Sequence, residues 1–168
     1  MRKNTRFLVH AAIIAALYAV LTHLQNILLP GSASMAIQFR VSEALCILAF
    51  FTPAAIPGLT IGCLLFNITF AAALPLDFLI GSAATLAATW GMWLTRRITL
   101  KKLPLLGLLL PAVTNSILVG WELSFYIGGG FWINALFVAI GEIAVMLTLG
   151  IVLYFAIKNR GLDKRLFG

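Results

Sequence analysis

Apolar runs of near-bilayer length alternate with short Pro/Gly or polar breaks along this chain. A spanning helix needs about 20 apolar residues. The run 7–29 supplies one, interrupted by His10, Thr22, His23, Gln25 and Asn26, most of them toward its far end. Pro30-Gly31-Ser32-Ala33-Ser34 breaks it, and a shorter segment, 38–51, follows. The breaks at Thr52–Pro57 and Leu74–Asp77 set off two more segments, 58–73 and 78–95. After a basic linker at 96–102 come 103–123, with Pro111 inside it, and 131–157, separated by Gly128-Gly129-Gly130. The pattern predicts six helices and no strand, in one membrane domain covering residues 1–168.

Composition strengthens that reading. The chain is 62% hydrophobic and 10% charged, against about 25% charged residues in a soluble domain. Too little polar surface is left to coat a soluble core, so the predicted class is an all-α integral membrane protein. The basic start and first apolar run resemble a signal peptide, but the run is too long for an h-region and more apolar segments follow. A retained helix is expected.

The charges fix a topology. A net charge of +7 does not indicate nucleic acid, because the basic residues fall in three clusters that border apolar runs: Arg2, Lys3 and Arg6; Arg96, Arg97, Lys101 and Lys102; Lys158, Arg160, Lys164 and Arg165. Lys and Arg stay with the anionic cytoplasmic leaflet. If all three clusters are cytoplasmic, an even number of crossings separates each from the next. Four crossings of about 22 residues each fit residues 7–95, and two fit 103–157. Both termini are then expected inside, with the second helix short.

That topology gathers Glu43, Asp77, Glu122 and Glu142 in the outer half, and leaves only Asp163, in the tail, at the inner end. Ionisable groups inside a bilayer are costly and usually face a cavity or a partner. Arg40, the one Lys or Arg between Arg6 and Arg96, stands three residues before Glu43, a spacing that shares a helical face and suits an internal ion pair. Asn115 and Glu122, seven apart, return to nearly the same face. Glu142 lies about eleven residues, roughly 16 Å, down the sixth helix. Together they could line a polar slot for a flat, hydrogen-bonding ligand, since a carboxylate accepts two parallel N–H bonds in one plane and also suits an ammonium. Plainer roles stand beside these: a helix–helix hydrogen bond for Asn115, an exposed loop position for Glu122, and a cap of the fourth helix for Asp77. Trp121, Phe125, Tyr126, Phe131 and Trp132 form either an interfacial belt or, for one or two of them, a stacking surface.

Ala11, Ala15 and Ala19 repeat every four residues on the first helix, with Ala12 and Ala16 alongside, and Gly58 and Gly62 do the same on the third. Small residues at this spacing admit a close helix, within the chain or from another subunit. Cys46 and Cys63 stand alone in apolar surroundings, and the chain has no GxxxxGK[ST], HExxH or GxSxG motif. Binding without catalysis is the economical expectation, with no cofactor and no metal site.

The run Ile37–Leu45 (IQFRVSEAL), after a first helix rich in AxxxA spacing, resembles the QueT family, substrate-binding S components of energy-coupling factor (ECF) transporters. The similarity extends to Gly58–Asn67 (GLTIGCLLFN), Asp77–Gly81 (DFLIG), Pro111–Asn115 and Gly141-Glu142. The resemblance implies a six-helix bundle in a bacterial cell membrane and capture of a queuosine precursor, a 7-deazaguanine such as pre-queuosine base or queuine. It implies two kinds of partner, a membrane coupling subunit and a pair of ATPases, with the AxxxA face of the first helix (Ala11, Ala15 and Ala19) meeting the coupling subunit and the choice of alanine register left open. The carboxylates Glu142 and Glu122, then Asn115, are the expected base-recognising residues. Asp77 and Glu43 would take an amine or frame the site with Arg40 and Trp121, and the loop at 30–37 would cover the bound form. An S component for another small solute such as a vitamin, a self-sufficient cation or proton carrier, and a structural membrane subunit are the competing readings.

Overall fold

The computed structural model describes residues 3–30, 32, 39–70 and 73–167. Most of the expected covering loop at 30–37, together with Ile37 and Gln38 of the motif, lies outside the described residues. Among them the chain is all helical, apart from one isolated bridge between Leu100 and Leu103.

Helix α1 runs Lys3–Leu28. A 3-10 helix follows at Val41–Phe50, then α2 at Ala55–Thr69, α3 at Asp77–Thr95 and α4 at Leu105–Tyr126. Helix α5 runs Phe131–Asn159 and contains a π-type turn at Met146–Gly150. A short helix, α6, closes the described chain at Leu162–Phe167. Four of these, α1, α3, α4 and α5, are long and apolar enough to cross a membrane. The 3-10 helix and α2 are apolar but short, at 10 and 15 residues. At a rise of about 2.0 Å and about 1.5 Å per residue respectively, each spans roughly 20 Å, less than the ~30 Å hydrocarbon layer.

The predicted boundaries shift for local reasons. Helix α2 begins at Ala55 rather than after Pro57, because proline is tolerated in a first turn, where its missing N–H has no partner to lose. It ends at Thr69. Helix α4 runs three residues past the expected end, to Tyr126. Gly128, Gly129 and Gly130 then take φ of 86°, 79° and 84°, a left-handed run that only glycine adopts without strain, and this ends α4 sharply. Asn134 Nδ2 ties the turn down by donating to the Gly128 carbonyl at 2.7 Å. Within the basic tail, residues Leu162–Phe167 form α6. It returns to α1, where Arg6 donates to the Leu166 carbonyl at 2.9 Å and His10 meets Phe167 edge-on at 5.5 Å.

The 3-10 helix is the element the others enclose: eight of its ten residues are buried. Its Cys46, Ile47, Ala49 and Phe50 pack with Tyr18, Leu59, Met92, Leu108 and Met146 into one apolar cluster. Two close helix contacts frame it. A Cβ on Gly58 would stand 2.8 Å from the Ala11 carbonyl oxygen, and one on Gly62 would stand 2.7 Å from Tyr18 Cβ. A Cβ on Gly120 would stand 2.8 Å from Ala135 Cα, where α4 meets α5. Close approach of this kind is what small residues permit between membrane helices.

Candidate functional site

Above the apolar cluster lies a belt of buried polar groups contributed by every long element. Arg40, Glu43, Asp77, Asn115, Glu122 and Glu142 are all at most 9% exposed. The structure therefore brings together six of the seven ligand-site residues expected from the sequence. The seventh, Trp121, is 54% exposed and stacks on Phe125 at 6.3 Å. One step along α4 from Glu122 turns the side chain by about 100°, which carries the indole out of the belt and onto the exposed surface of α4.

Arg40 is the hub. It sits just before the first residue of the 3-10 helix and reaches across to α3, where its Nη2 pairs with Asp77 Oδ2 at 3.5 Å. Its guanidinium also lies over the Phe66 ring at 5.8 Å. The local Arg40–Glu43 pair suggested by the sequence opens into a wider network, because both Glu43 oxygens have other donors. Tyr18 Oη donates to Oε1, and Cys46 Sγ donates to Oε2 at 3.1 Å. Glu43 stays within electrostatic range of Arg40. So do Glu122, which also feels Asp77, and Glu142, which also feels Glu43.

Asp77 opens α3 but makes no side-chain capping bond. Its carboxylate faces Arg40, and its carbonyl accepts from Asn67 Nδ2 at 2.9 Å. Asn115 Nδ2 donates to Glu142 Oε1 at 3.0 Å, joining α4 to α5. Glu122 is not a loop residue. The longer α4 carries it inside, where it is fully buried.

The unpartnered groups are informative. Glu122 Oε1 and Oε2, Glu142 Oε2 and Asn67 Oδ1 are buried in or beside the belt without a hydrogen-bond partner. Buried polar atoms are nearly always paired, because a lost partner costs about 1–3 kcal/mol. Every one of these is an acceptor. The belt is therefore preorganised to receive N–H or O–H donors, and Arg40 is the one buried cation among the described residues to set against four carboxyl groups.

Several belt residues were not singled out in the sequence. Tyr18 and Asn67 are two, and Gln25 is a third. Gln25 Nε2 donates to Ser32 Oγ at 2.8 Å and to the Phe39 carbonyl, while its Oε1 accepts from Val41 N–H at 2.8 Å. These bonds anchor the approach to the 3-10 helix. A signal was present: Ala11, Ala15, Tyr18, Thr22 and Gln25 follow one another at steps of three and four, and all are buried on one face of α1.

That face also decides the alanine registers. Ala11 and Ala15 are covered by α2, and Ala19 is half-buried, whereas Ala12 and Ala16 are exposed. The contact that Ala11 and Ala15 make is internal, with Gly58 and Gly62, and the Ala12–Ala16 register is the one left exposed.

The chain matches the model of the QueT transporter family over residues 8–159. It is also 39% identical over 90 residues to the queuosine precursor transporter QueT of Lactococcus lactis subsp. cremoris (strain MG1363). That match covers 51% of this chain and 49% of the relative, so it spans about half the length of the curated protein it resembles. No solved structure matches the chain. The family is one of transporters rather than enzymes, in keeping with several apolar helices and a multi-pass protein of the cell membrane. With the family model matched across most of its length, the chain belongs to the QueT transporter family.

Proposed function

We propose that this chain is the S component of an ECF-type importer, capturing a queuosine precursor, a 7-deazaguanine, for ATP-driven uptake by a coupling subunit and two ATPases. The observation that carries the binding role is the set of buried, unpartnered acceptors on Glu122 and Glu142. A flat base with a guanine-type edge brings N–H donors in a plane, the geometry a carboxylate accepts twice over. The name of the Lactococcus relative points to the same substrate class.

In this reading the chain crosses the membrane six times with both ends cytoplasmic, supported by the three basic clusters and the six apolar segments. The short 3-10 helix crosses by being enclosed within the bundle, while α2 keeps an exposed apolar face at Ile61, Leu65 and Ile68. The coupling subunit docks on the exposed side of α1, where Ala12 and Ala16 are flanked by Ile13, Leu17 and Val20, all exposed.

Calorimetry of the purified chain with a 7-deazaguanine, and with a vitamin panel as comparator, tests the binding half. Binding of the deazaguanine alone is expected, and binding of a vitamin instead would reassign the substrate. Uptake in cells with and without the ATPases tests the rest. Cation-dependent uptake from this chain alone would replace the S-component reading with a self-sufficient carrier.

A further inference from the structure

At the end of the bundle away from the belt, an open apolar groove of about 380 Å³ lies where the start of α1, the turn into α2 and the end of α3 meet. Phe7, Ile56, Pro57, Trp90, Trp93 and Leu94 line it, and Trp90 and Leu94 are 56% and 66% exposed. Two cations stand at its polar end. Arg96, the residue after α3, lays its guanidinium over the Trp93 ring at 3.5 Å and donates from Nη1 to the Trp93 carbonyl. Stacking and hydrogen bond together fix the guanidinium at the groove wall, with most of its five N–H donors to spare. Lys3 is exposed and stands four residues before Phe7, which puts both on one face of α1. No ion pair among the described residues takes either side chain. The acids are elsewhere: of the five in the chain, Glu43, Asp77, Glu122 and Glu142 are in the belt, and Asp163 is on α6.

We propose that this groove is a binding site for an anionic phospholipid of the cytoplasmic leaflet, with one acyl chain along Phe7, Trp90 and Leu94 and the headgroup phosphate between Arg96 and Lys3. Charge complementarity selects the occupant. An apolar cleft that ends in cations at headgroup depth fits a molecule with hydrocarbon at one end and phosphate at the other. A guanidinium already held flat by stacking meets phosphate oxygens at little further cost in side-chain freedom. A zwitterionic lipid would bring its own cation beside Arg96 and Lys3, so the site discriminates by net headgroup charge. Helices α1 and α3 each pack on α2 rather than closely on one another, and a lipid in the groove bridges them. The groove also lies away from the face of α1 assigned above to the coupling subunit. Ala12 and Ala16 follow Phe7 by five and nine residues, or about 140° and 180° around the helix. The proposal is therefore independent of the solute the chain carries and of its partners.

The test uses the full chain in mixed bilayers. Of its four tryptophans, two are replaced, Trp121→Phe and Trp132→Phe, so that Trp90 and Trp93 carry the fluorescence. Brominated phosphatidylglycerol and brominated phosphatidylcholine serve as the quenching lipids. The phosphatidylglycerol is expected to associate about 10-fold more strongly, on the scale of two basic side chains acting on an anionic headgroup. Arg96→Gln with Lys3→Gln should bring the two lipids to within about 2-fold of each other. Arg97→Gln with Lys101→Gln removes the same charge from the exposed linker and should keep the preference. Soluble glycerol phosphate should not relieve the quenching. Equal quenching by the two lipids before any charge is removed would leave the groove to ordinary annular lipid or to a protein partner, and overturns the proposal. A preference that survives the loss of Arg96 and Lys3 overturns it too. So does a preference lost equally in both charge variants, which would make it a property of the whole basic surface. Relief of quenching by glycerol phosphate would make the site one for a free phosphate and overturns the lipid assignment.

Discussion

Two layers of this molecule solve the problem of polar groups in an apolar protein in opposite ways. Against the 3-10 helix, the buried serine and threonine hydroxyls of α3 close on their own helix. Thr85 donates to the Gly81 carbonyl at 3.0 Å, Thr89 to Thr85 at 2.7 Å, and Ser82 to Phe78 at 2.6 Å. Each such bond satisfies a donor without asking anything of the neighbouring helix, and the packing among Ile47, Leu59, Met92 and Leu108 can be uniformly apolar. In the belt above, the polar groups reach between elements: Tyr18 to Glu43, Arg40 to Asp77, Asn115 to Glu142. They still leave acceptors open. The first arrangement is complete in the chain alone. The second is complete only when something else supplies donors, and that difference separates scaffold from site.

The strongest way to break the contrast is to remove the hub. Arg40→Met keeps much of the apolar stem but takes away the guanidinium that faces Asp77. Losing one partner of a buried ion pair costs about 3–5 kcal/mol, because the remaining charge is stranded. Thermal unfolding in detergent should report a loss of that order. The double variant Arg40→Met, Asp77→Asn should recover a substantial part of it. If the single variant is as stable as wild type, the belt does not depend on Arg40, and the network reading fails.

Next in size is a change that couples the two layers. Tyr18 lies against Gly62, where an added Cβ would meet Tyr18 Cβ at 2.7 Å and the Ala15 carbonyl oxygen at 2.8 Å. Backbone stands in the way, so the helices must separate. Gly62→Ala should cost about 1–3 kcal/mol of stability, as overpacking usually does. It should also weaken ligand binding, because Tyr18 is the donor that positions Glu43. Wild-type stability in this variant would show that α1 and α2 are free to slide apart.

Most of the helical segments were legible in the sequence, because apolar runs and Pro/Gly breaks report bilayer-sized elements directly. Their internal form was less so. A ten-residue apolar run has no feature that separates an α-helix from the 3-10 helix found at Val41–Phe50, and only the surrounding packing decides. The candidate acids were legible as a group, since charge in an apolar chain needs a reason. Their pairing was not: Arg40 and Asp77 come together only once α3 is placed beside the 3-10 helix. A loop position stood as the plainer alternative for Glu122 because the predicted helix ended one residue later, at 123, yet α4 continues to Tyr126. The alanine register was readable and was left open: Tyr18, Thr22 and Gln25 share a face with Ala11 and Ala15, and polar side chains on a membrane helix turn inward.

A gentler change separates site from scaffold by sign. Core substitutions normally destabilise, but Glu122 has no partner to lose within the chain. Glu122→Gln should leave the ligand-free protein as stable as wild type, or more stable by about 1 kcal/mol, since a buried carboxyl without donors is replaced by a neutral amide. A melting curve without ligand measures this directly. A drop of several degrees would mean that the Glu122 oxygens are held by the protein itself, and the belt would then be scaffold like the layer beneath it.

The smallest expected effect marks the belt's outer limit. Trp121 is adjacent to Glu122 in sequence, but its ring is exposed and stacked on Phe125 with the planes 17° apart. Phe125 and Trp132, 71% and 81% exposed, share that end of the molecule, as an interfacial girdle would. Trp121→Ala should therefore change affinity for a 7-deazaguanine by less than about 2-fold, well under the 1.4 kcal/mol that a tenfold change represents. The protein's retention in membranes should be unaffected, since the neighbouring aromatics remain. Titration of the variant beside Glu122→Gln gives the sharpest form of the comparison, one residue apart on α4. A tenfold loss with Trp121→Ala would mean that the indole swings inward to stack on the bound base, and that the site extends past the buried belt to the surface of α4.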